Sequence, residues 1–316
     1  MQAVAGKDYI EAWLPGVDGT QFYTRTYPAT FPKAILLFVH GFAEHVGRYE
    51  HAHVKYPTRG ITVFAFDLRG YGRTALNQEK KSKDSAYGKT NWHVQMRDIE
   101  WFGKYLEKEN PGVPLFLMGH SAGGGQVLAY FTRPSAPPSP EATRLFKAVI
   151  CSSPCILLTS PKPRIIRWVG GKLASLVPYQ LIPADVGLEN LSRNTAANQA
   201  ILKDPYIKQM GSLRGLDDML TGGEKLLTED YKRWPKELPI LFIHGTGDNI
   251  TSYKATKEFY DRIDCTGKKL SLYEGAYHEI VQETDGLGDR LVDECISWVE
   301  SHLPEKKPEA TEPAKL

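Results

Sequence analysis

Short runs of mainly apolar, often β-branched residues recur along this chain, and each is followed by a longer stretch of helical character. The runs are Ala34–Val39, Thr62–Phe66, Leu115–Met118, Ala148–Cys151, Ile240–Ile243 and Leu270–Tyr273. They are continuous rather than alternating, as a strand reads when both faces of its sheet are covered. Amphipathic windows lie between them. His93–Lys108 places Val94, Ile99, Phe102 and Leu106 at helical spacing, and Thr256–Ile263 is a second such window. Strand and helix in alternation predict an α/β fold, a mostly parallel, doubly wound sheet with right-handed crossovers. Ahead of it, Tyr9–Trp13 and Gln21–Tyr27, separated by Gly16 and Gly19, read as an antiparallel hairpin on the sheet edge.

The rhythm breaks once. Between Ile156 and Trp234 no strand candidate appears, and the gap far exceeds an ordinary connection. A length of 316 residues suits two domains or one domain with an insertion, and the strand spacing decides for the second. The expected organisation is a core of residues 1–155 and 235–303, a helical cap over 156–234 and a disordered tail over 304–316. Within the cap, Ile165, Ile166, Trp168, Val169, Leu173, Leu176 and Val177 cluster on one helical face beside Arg164, Arg167 and Lys172. Such a stripe resembles an interfacial helix dipping into lipid. It also suits packing onto the core, and Gly170-Gly171 weakens a regular helix.

Lys and Arg number 39 and Asp and Glu 37, a net charge of +2. That balance argues against a nucleic-acid partner, which needs a basic surplus. Cys151, Cys155, Cys265 and Cys295 are too few for a disulfide framework and poorly spaced for zinc, so free thiols and no metal are expected. The N-terminus lacks a signal-like apolar run, which predicts an intracellular, cytoplasmic protein with membrane or lipid-droplet contact through the cap. The tail ends Ala314-Lys315-Leu316, a relaxed form of the Ser-Lys-Leu peroxisomal address.

The chemistry centres on Gly119-His120-Ser121-Ala122-Gly123. A G-x-S-x-G match is common by chance, but this one follows the Leu115–Met118 run and precedes a helix-compatible stretch. That is the strand–turn–helix setting of a nucleophile elbow. A serine hydroxyl needs a base and an orienting acid, which in α/β-hydrolases follow in the order Ser, acid, His, each just past a strand. Downstream stand His244, His278 and His302. His302 lies near the tail, His244 suits a structural place at a strand end, and His278 follows the last strand. Asp248 lies in the preceding strand's loop. Asp217 and Asp218 fall inside the insertion, and Asp261 and Asp264 on or after a helix. The expected set is Ser121, Asp248 and His278, with the Phe42 and Ala122 amides as the oxyanion hole. This chemistry calls for no cofactor.

The strings His40-Gly41-Phe42-Ala43-Glu44-His45-Val46-Gly47-Arg48-Tyr49, Asp67–Gly72, Gly119–Gly123, His244–Asp248 and Tyr277-His278 together resemble monoacylglycerol lipases, from the hairpin to about Leu303. The resemblance implies an α/β-hydrolase fold with an inserted cap. It also implies cleavage of monoacylglycerols to fatty acid and glycerol, with Glu44 and Arg48 serving the glycerol head. Four residues apart, these two also suit a surface ion pair. Lysophospholipase, carboxylesterase and acyltransferase activities share the same three residues, and a non-catalytic lipid-binding protein is a distant alternative. Ala43 stands where that family usually has Gly, and Ala122 where it often has Met.

Overall fold

The computed structural model describes residues 2–3, 6–161 and 163–304. The tail from residue 305, with Ala314-Lys315-Leu316, lies outside them. Nine strands form one sheet in the order β1-β2-β3-β5-β4-β6-β7-β10-β11. These are β1 (Gln2–Ala3), β2 (Ile10–Pro15), β3 (Gln21–Tyr27), β4 (Ala34–Val39), β5 (Ile61–Phe66), β6 (Leu115–His120), β7 (Phe146–Ser152), β10 (Ile240–Gly245) and β11 (Lys268–Tyr273). From β5 to β11 every neighbour is parallel. The β2–β3 hairpin joins the sheet antiparallel through β3 against β5. It is not the outermost element, because β1 pairs along β2.

In β4, β5, β6, β7 and β10 the apolar runs follow from cover on both faces. Strand β11 lies at the sheet edge and is only partly covered, with Leu272 exposed, contrary to the reading of Leu270–Tyr273 as a doubly covered strand. In β4, Ile35, Leu37 and Val39 enter one core while Ala34, Leu36 and Phe38 enter the other. Helices α1 (Trp92–Glu109), α2 (Ala122–Thr132) and α6 (Tyr253–Arg262) pack on the first face, and α7 (Leu287–Ser301) on the second. Helix α1 starts where the Asn91 side chain accepts the Val94 N–H at 3.0 Å, and it buries Met96, Ile99, Phe102 and Leu106. Strands β6, β7 and β10 run past their apolar residues. Pairing continues through His120↔Ser152 and His244↔Leu272, so polar side chains are carried to the sheet's carboxyl edge and buried there. The chain winds away from β4 in both directions, which opens a crevice beyond the ends of β4 and β6.

Between β7 and β10 lie α3 (Arg164–Leu176), α4 (Thr195–Lys203) and α5 (Leu213–Thr228). The segment also holds a two-stranded antiparallel ribbon, β8 (Leu181–Pro183) with β9 (Met210–Ser212), which the sequence reading lacked. Three-residue strands carry too little pattern to be seen. Helix α3 runs unbroken through Gly170 and Gly171. Gly171 faces the Asp217 carboxylate of α5, so the missing side chain lets the two helices approach.

Candidate active site

Ser121 occupies the turn between β6 and α2 with φ 54° and ψ −120°, a strained conformation for a residue with a side chain. Its own backbone is tied down on both sides. The N–H donates to the Ser152 carbonyl at 2.9 Å, and its carbonyl accepts Gly125 N–H at 3.0 Å and Cys155 N–H at 2.8 Å. The flanking glycines are needed for close approach rather than freedom. A Cβ on Gly119 would collide with the Gly123 backbone, and one on Gly123 would meet the Val39 and His40 carbonyls. The hydroxyl is thereby held at the amino end of α2.

His278 lies in the loop after β11, buried, with Nε2 2.8 Å from Ser121 Oγ and Nδ1 2.7 Å from Asp248 Oδ2. A carboxylate only accepts, so Nδ1 carries the proton and Nε2 is left to accept the serine O–H. The His278 carbonyl is pinned by Ser153 Oγ at 2.8 Å. Asp248 follows β10. Its Oδ1 accepts the Ile250 and Thr251 amides at 2.7 and 2.9 Å, and its Oδ2 also accepts Thr251 Oγ1 at 2.8 Å and His244 Nε2 at 3.0 Å. Burial alone would raise the Asp248 pKa, but the two imidazoles outweigh it and hold the carboxyl far below its usual range. Burial likewise lowers the His278 pKa, and the Asp248 charge and hydrogen bond reverse this, leaving it above the ordinary value. Asp218 instead accepts the Trp92 amide at 2.9 Å, while Asp261 and Asp264 pair with Lys257 and Lys236.

The loop after β4 brings Phe42 to the same crevice, and Ala122 N–H opens α2 beside Ser121, where no intrahelical acceptor exists. His40 braces this loop, its Nε2 accepting the Leu68 amide at 2.8 Å. Ala43 sits at φ 58°, in the left-handed region that favours glycine. Replacing Ala43 with glycine should relieve that strain, in part offset by unfolded-chain entropy. A gain of about 0.5–1 kcal/mol is expected in denaturant melts.

Glu44 and Arg48 do not form a surface ion pair; both are buried and share a third partner. Glu44 Oε1 accepts Gly41 N–H at 2.5 Å and Tyr49 O–H at 2.6 Å, and Oε2 accepts Arg48 Nη1 at 2.7 Å. Glu279, directly after His278, then takes the Arg48 guanidinium in a two-pronged bond of 2.6 and 2.7 Å. Burial opposes ionisation of Glu44, and Arg48 overcomes it, so the carboxyl lies below its usual range. Glu279 was not recognised from sequence. A glutamate beside the base gives no periodic or spacing signal, and its partner stands 231 positions away.

These residues meet in one cleft of about 750 Å³, open mouth included. Its floor is Gly41, Phe42, Glu44, Arg48, Ser121 and His278. The opposite wall is apolar and comes from between β7 and β10, through residues such as Leu158, Val186, Leu191, Ile207 and Met219.

The family described as serine aminopeptidase, S33, matches residues 30–285. A putative monoglyceride lipase of Schizosaccharomyces pombe is 30% identical over 273 residues, 86% of this chain and 68% of that protein. A monoacylglycerol lipase of Mycolicibacterium smegmatis is 28% identical over 300 residues, covering 91% of this chain and 96% of its own length. The crystal structure of a soluble variant of Saccharomyces cerevisiae monoglyceride lipase, bound to a substrate analog, superimposes with a TM-score of 0.82 at 25% identity. It covers 96% of this chain and 98% of that one. A family model that matches residues 30–285, a 30% identical monoglyceride lipase relative covered over 68% of its length and a superimposing fold lead to a single assignment: the chain belongs to the serine aminopeptidase S33 family of α/β-hydrolases, among the monoacylglycerol lipases.

Proposed function

We propose that this chain hydrolyses monoacylglycerols to fatty acid and glycerol through an acyl-enzyme on Ser121. The observation that carries the reading is the continuous Ser121–His278–Asp248 hydrogen-bond relay on the polar floor of a cleft whose other wall is apolar. His278 Nε2 takes the Ser121 proton as Oγ attacks the ester carbonyl, and the oxyanion accepts the Phe42 and Ala122 amides. His278 then protonates the departing glycerol oxygen as the C–O bond breaks. Water, deprotonated by the same nitrogen, attacks the acyl-enzyme and releases the fatty acid. Asp248 holds the imidazole in the required tautomer and balances its transient charge. The apolar wall from residues 156–234 would cap the acyl chain.

A substrate panel tests this. Mono-, di- and triacylglycerols and lysophospholipid of matched acyl length should be cleaved with monoacylglycerol fastest. A preference for lysophospholipid would favour the second reading, a lysophospholipase with the same relay. A non-catalytic lipid binder is disfavoured, because such a protein has no use for a complete relay aimed into the cleft.

The cap's outer surface supports a lipid-surface role. Ile165, Trp168 and Leu176 are 66%, 62% and 77% exposed on α3, and Lys172 lies over the Trp168 ring. No helix among the described residues is long and apolar enough to cross a membrane, so contact would be peripheral. Trp168→Asp with Leu176→Asp is expected to reduce co-flotation with anionic liposomes at least about tenfold. Unchanged flotation would refute the contact.

A further inference from the structure

One end of the cleft carries a charge pattern that the acyl-transfer chemistry does not require. Among the described residues lining it, Arg48 is the single lysine or arginine, and Glu44 and Glu279 are the carboxylates. Arg48 is paired with both acids: Nη1 bridges Glu44 Oε2 and Glu279 Oε1, and Nη2 meets Glu279 Oε2. Both acids are at least nine-tenths buried, as is the guanidinium. Two carboxylates around one guanidinium leave a formal charge of −1, and Asp248 adds a second buried negative charge behind His278. The imidazole of His120 does not compensate, because burial lowers its pKa to about 4 and leaves it neutral. Nearby cations are also spoken for. Arg193 pairs with Glu283, and Arg73 stacks on Tyr23 and Tyr206 outside the cleft.

Such a site offers carboxylate oxygens as acceptors and no spare cation. The cluster lies close to the nucleophile, since a Cβ on Gly41 would stand 2.6 Å from Glu44 Oε1 and 3.1 Å from Ser121 Cβ. A leaving group on the ester therefore meets this field as soon as it is placed for attack. Hydroxyl donors are favoured there. An anionic group would pay like-charge repulsion in a setting that water screens poorly.

We infer that the head-group end of the cleft is a charge filter set by Glu279, which admits uncharged polyol leaving groups and refuses anionic ones. The inference rests on the acyl-transfer reading above and separates its two substrate classes. An acylated glycerol fits, whereas an acylated glycerol phosphate does not. With Gln at 279 the cluster becomes formally neutral while Arg48 keeps Glu44, so the filter is weakened to what Asp248 supplies without stranding the guanidinium.

The test uses three octanoyl esters that differ at one carbon, with glycerol, glyceramide and glycerate as leaving groups. The last two are nearly identical in shape and differ by one negative charge. kcat/KM, corrected for base hydrolysis of each ester, is measured for the intact protein and for Glu279→Gln. The glycerate ester is expected to be cleaved at least about tenfold more slowly than the glyceramide ester, and Glu279→Gln should narrow that gap at least about threefold. A smaller gap in the unaltered protein overturns the filter, and an unchanged gap in a folded Glu279→Gln protein overturns the role of Glu279. If that variant fails to fold, the isosteric pair still decides on the unaltered chain. Failure of the acyl-transfer reading looks different, since none of the three esters would be cleaved.

Discussion

Replacing Ser121 with alanine is expected to lower kcat for ester hydrolysis by about 10⁵-fold and leave the fold intact. The hydroxyl is the only atom lost, and its partner, His278 Nε2, faces the cleft, where water replaces the bond. The backbone strain at φ 54° remains, borne by the Ser152, Gly125 and Cys155 hydrogen bonds, which involve no side-chain atom of Ser121. What survives is the catalysis supplied by oxyanion donors and binding alone. Turnover of a soluble p-nitrophenyl ester, with circular dichroism as a control, reads the result. Activity within tenfold of the unaltered protein would remove Ser121 from the mechanism.

Asp248→Asn should cost about 10⁴-fold in kcat and weaken the fold as well. Asp248 accepts five hydrogen bonds, two on Oδ1 from backbone amides and three on Oδ2 from Thr251, His244 and His278. An asparagine amide placed either way points N–H groups at donors, a mismatch worth about 1–3 kcal/mol. At the Oδ2 position it also favours the wrong His278 tautomer. The pH profile adds an independent readout. His278 must be neutral to act as a base, and its pKa lies above the usual value because of Asp248 after the opposing cost of burial. Activity of the unaltered protein should therefore decline on the acid side at a higher pH than an unperturbed imidazole would set. Removing the Asp248 charge lowers that pKa, so the acid limb of kcat/KM moves to lower pH. The other groups facing His278 are Ser121, Thr251, whose hydroxyl lies 3.2 Å from Nδ1, Glu279, Glu44 and His120, whose ring lies 5.0 Å away and is neutral throughout this window. An unmoved acid limb would mean that Asp248 does not set the base.

What the sequence made legible follows from how locally each feature is encoded. A run such as Ala34–Val39 announces a strand covered on both faces because every one of its residues is buried. Ser121 is visible because its turn brings backbone against backbone, and glycines must flank it on fixed spacing. Asp248 and His278 are found from their places after β10 and β11. Glu279 has no such mark: its meaning arises only when the loop after β11 folds against the turn holding Arg48. The same holds for His244, whose bond to Asp248 turns a strand-end histidine into part of the relay's support. Burial of the Glu44–Arg48 pair was equally hidden, because i,i+4 spacing is the same for a solvated pair and a buried one. The ribbon of β8 and β9 escaped since three residues on each side set no period.

The central claim is that Ser121 is the nucleophile of a relay completed by His278 and Asp248. Incubation with a fluorophosphonate, followed by mass spectrometry of the digested protein, tests it most directly. The account predicts one covalent adduct per chain, on the peptide carrying Ser121, and its absence from Ser121→Ala. An adduct on another serine, or none in the folded protein, would contradict it.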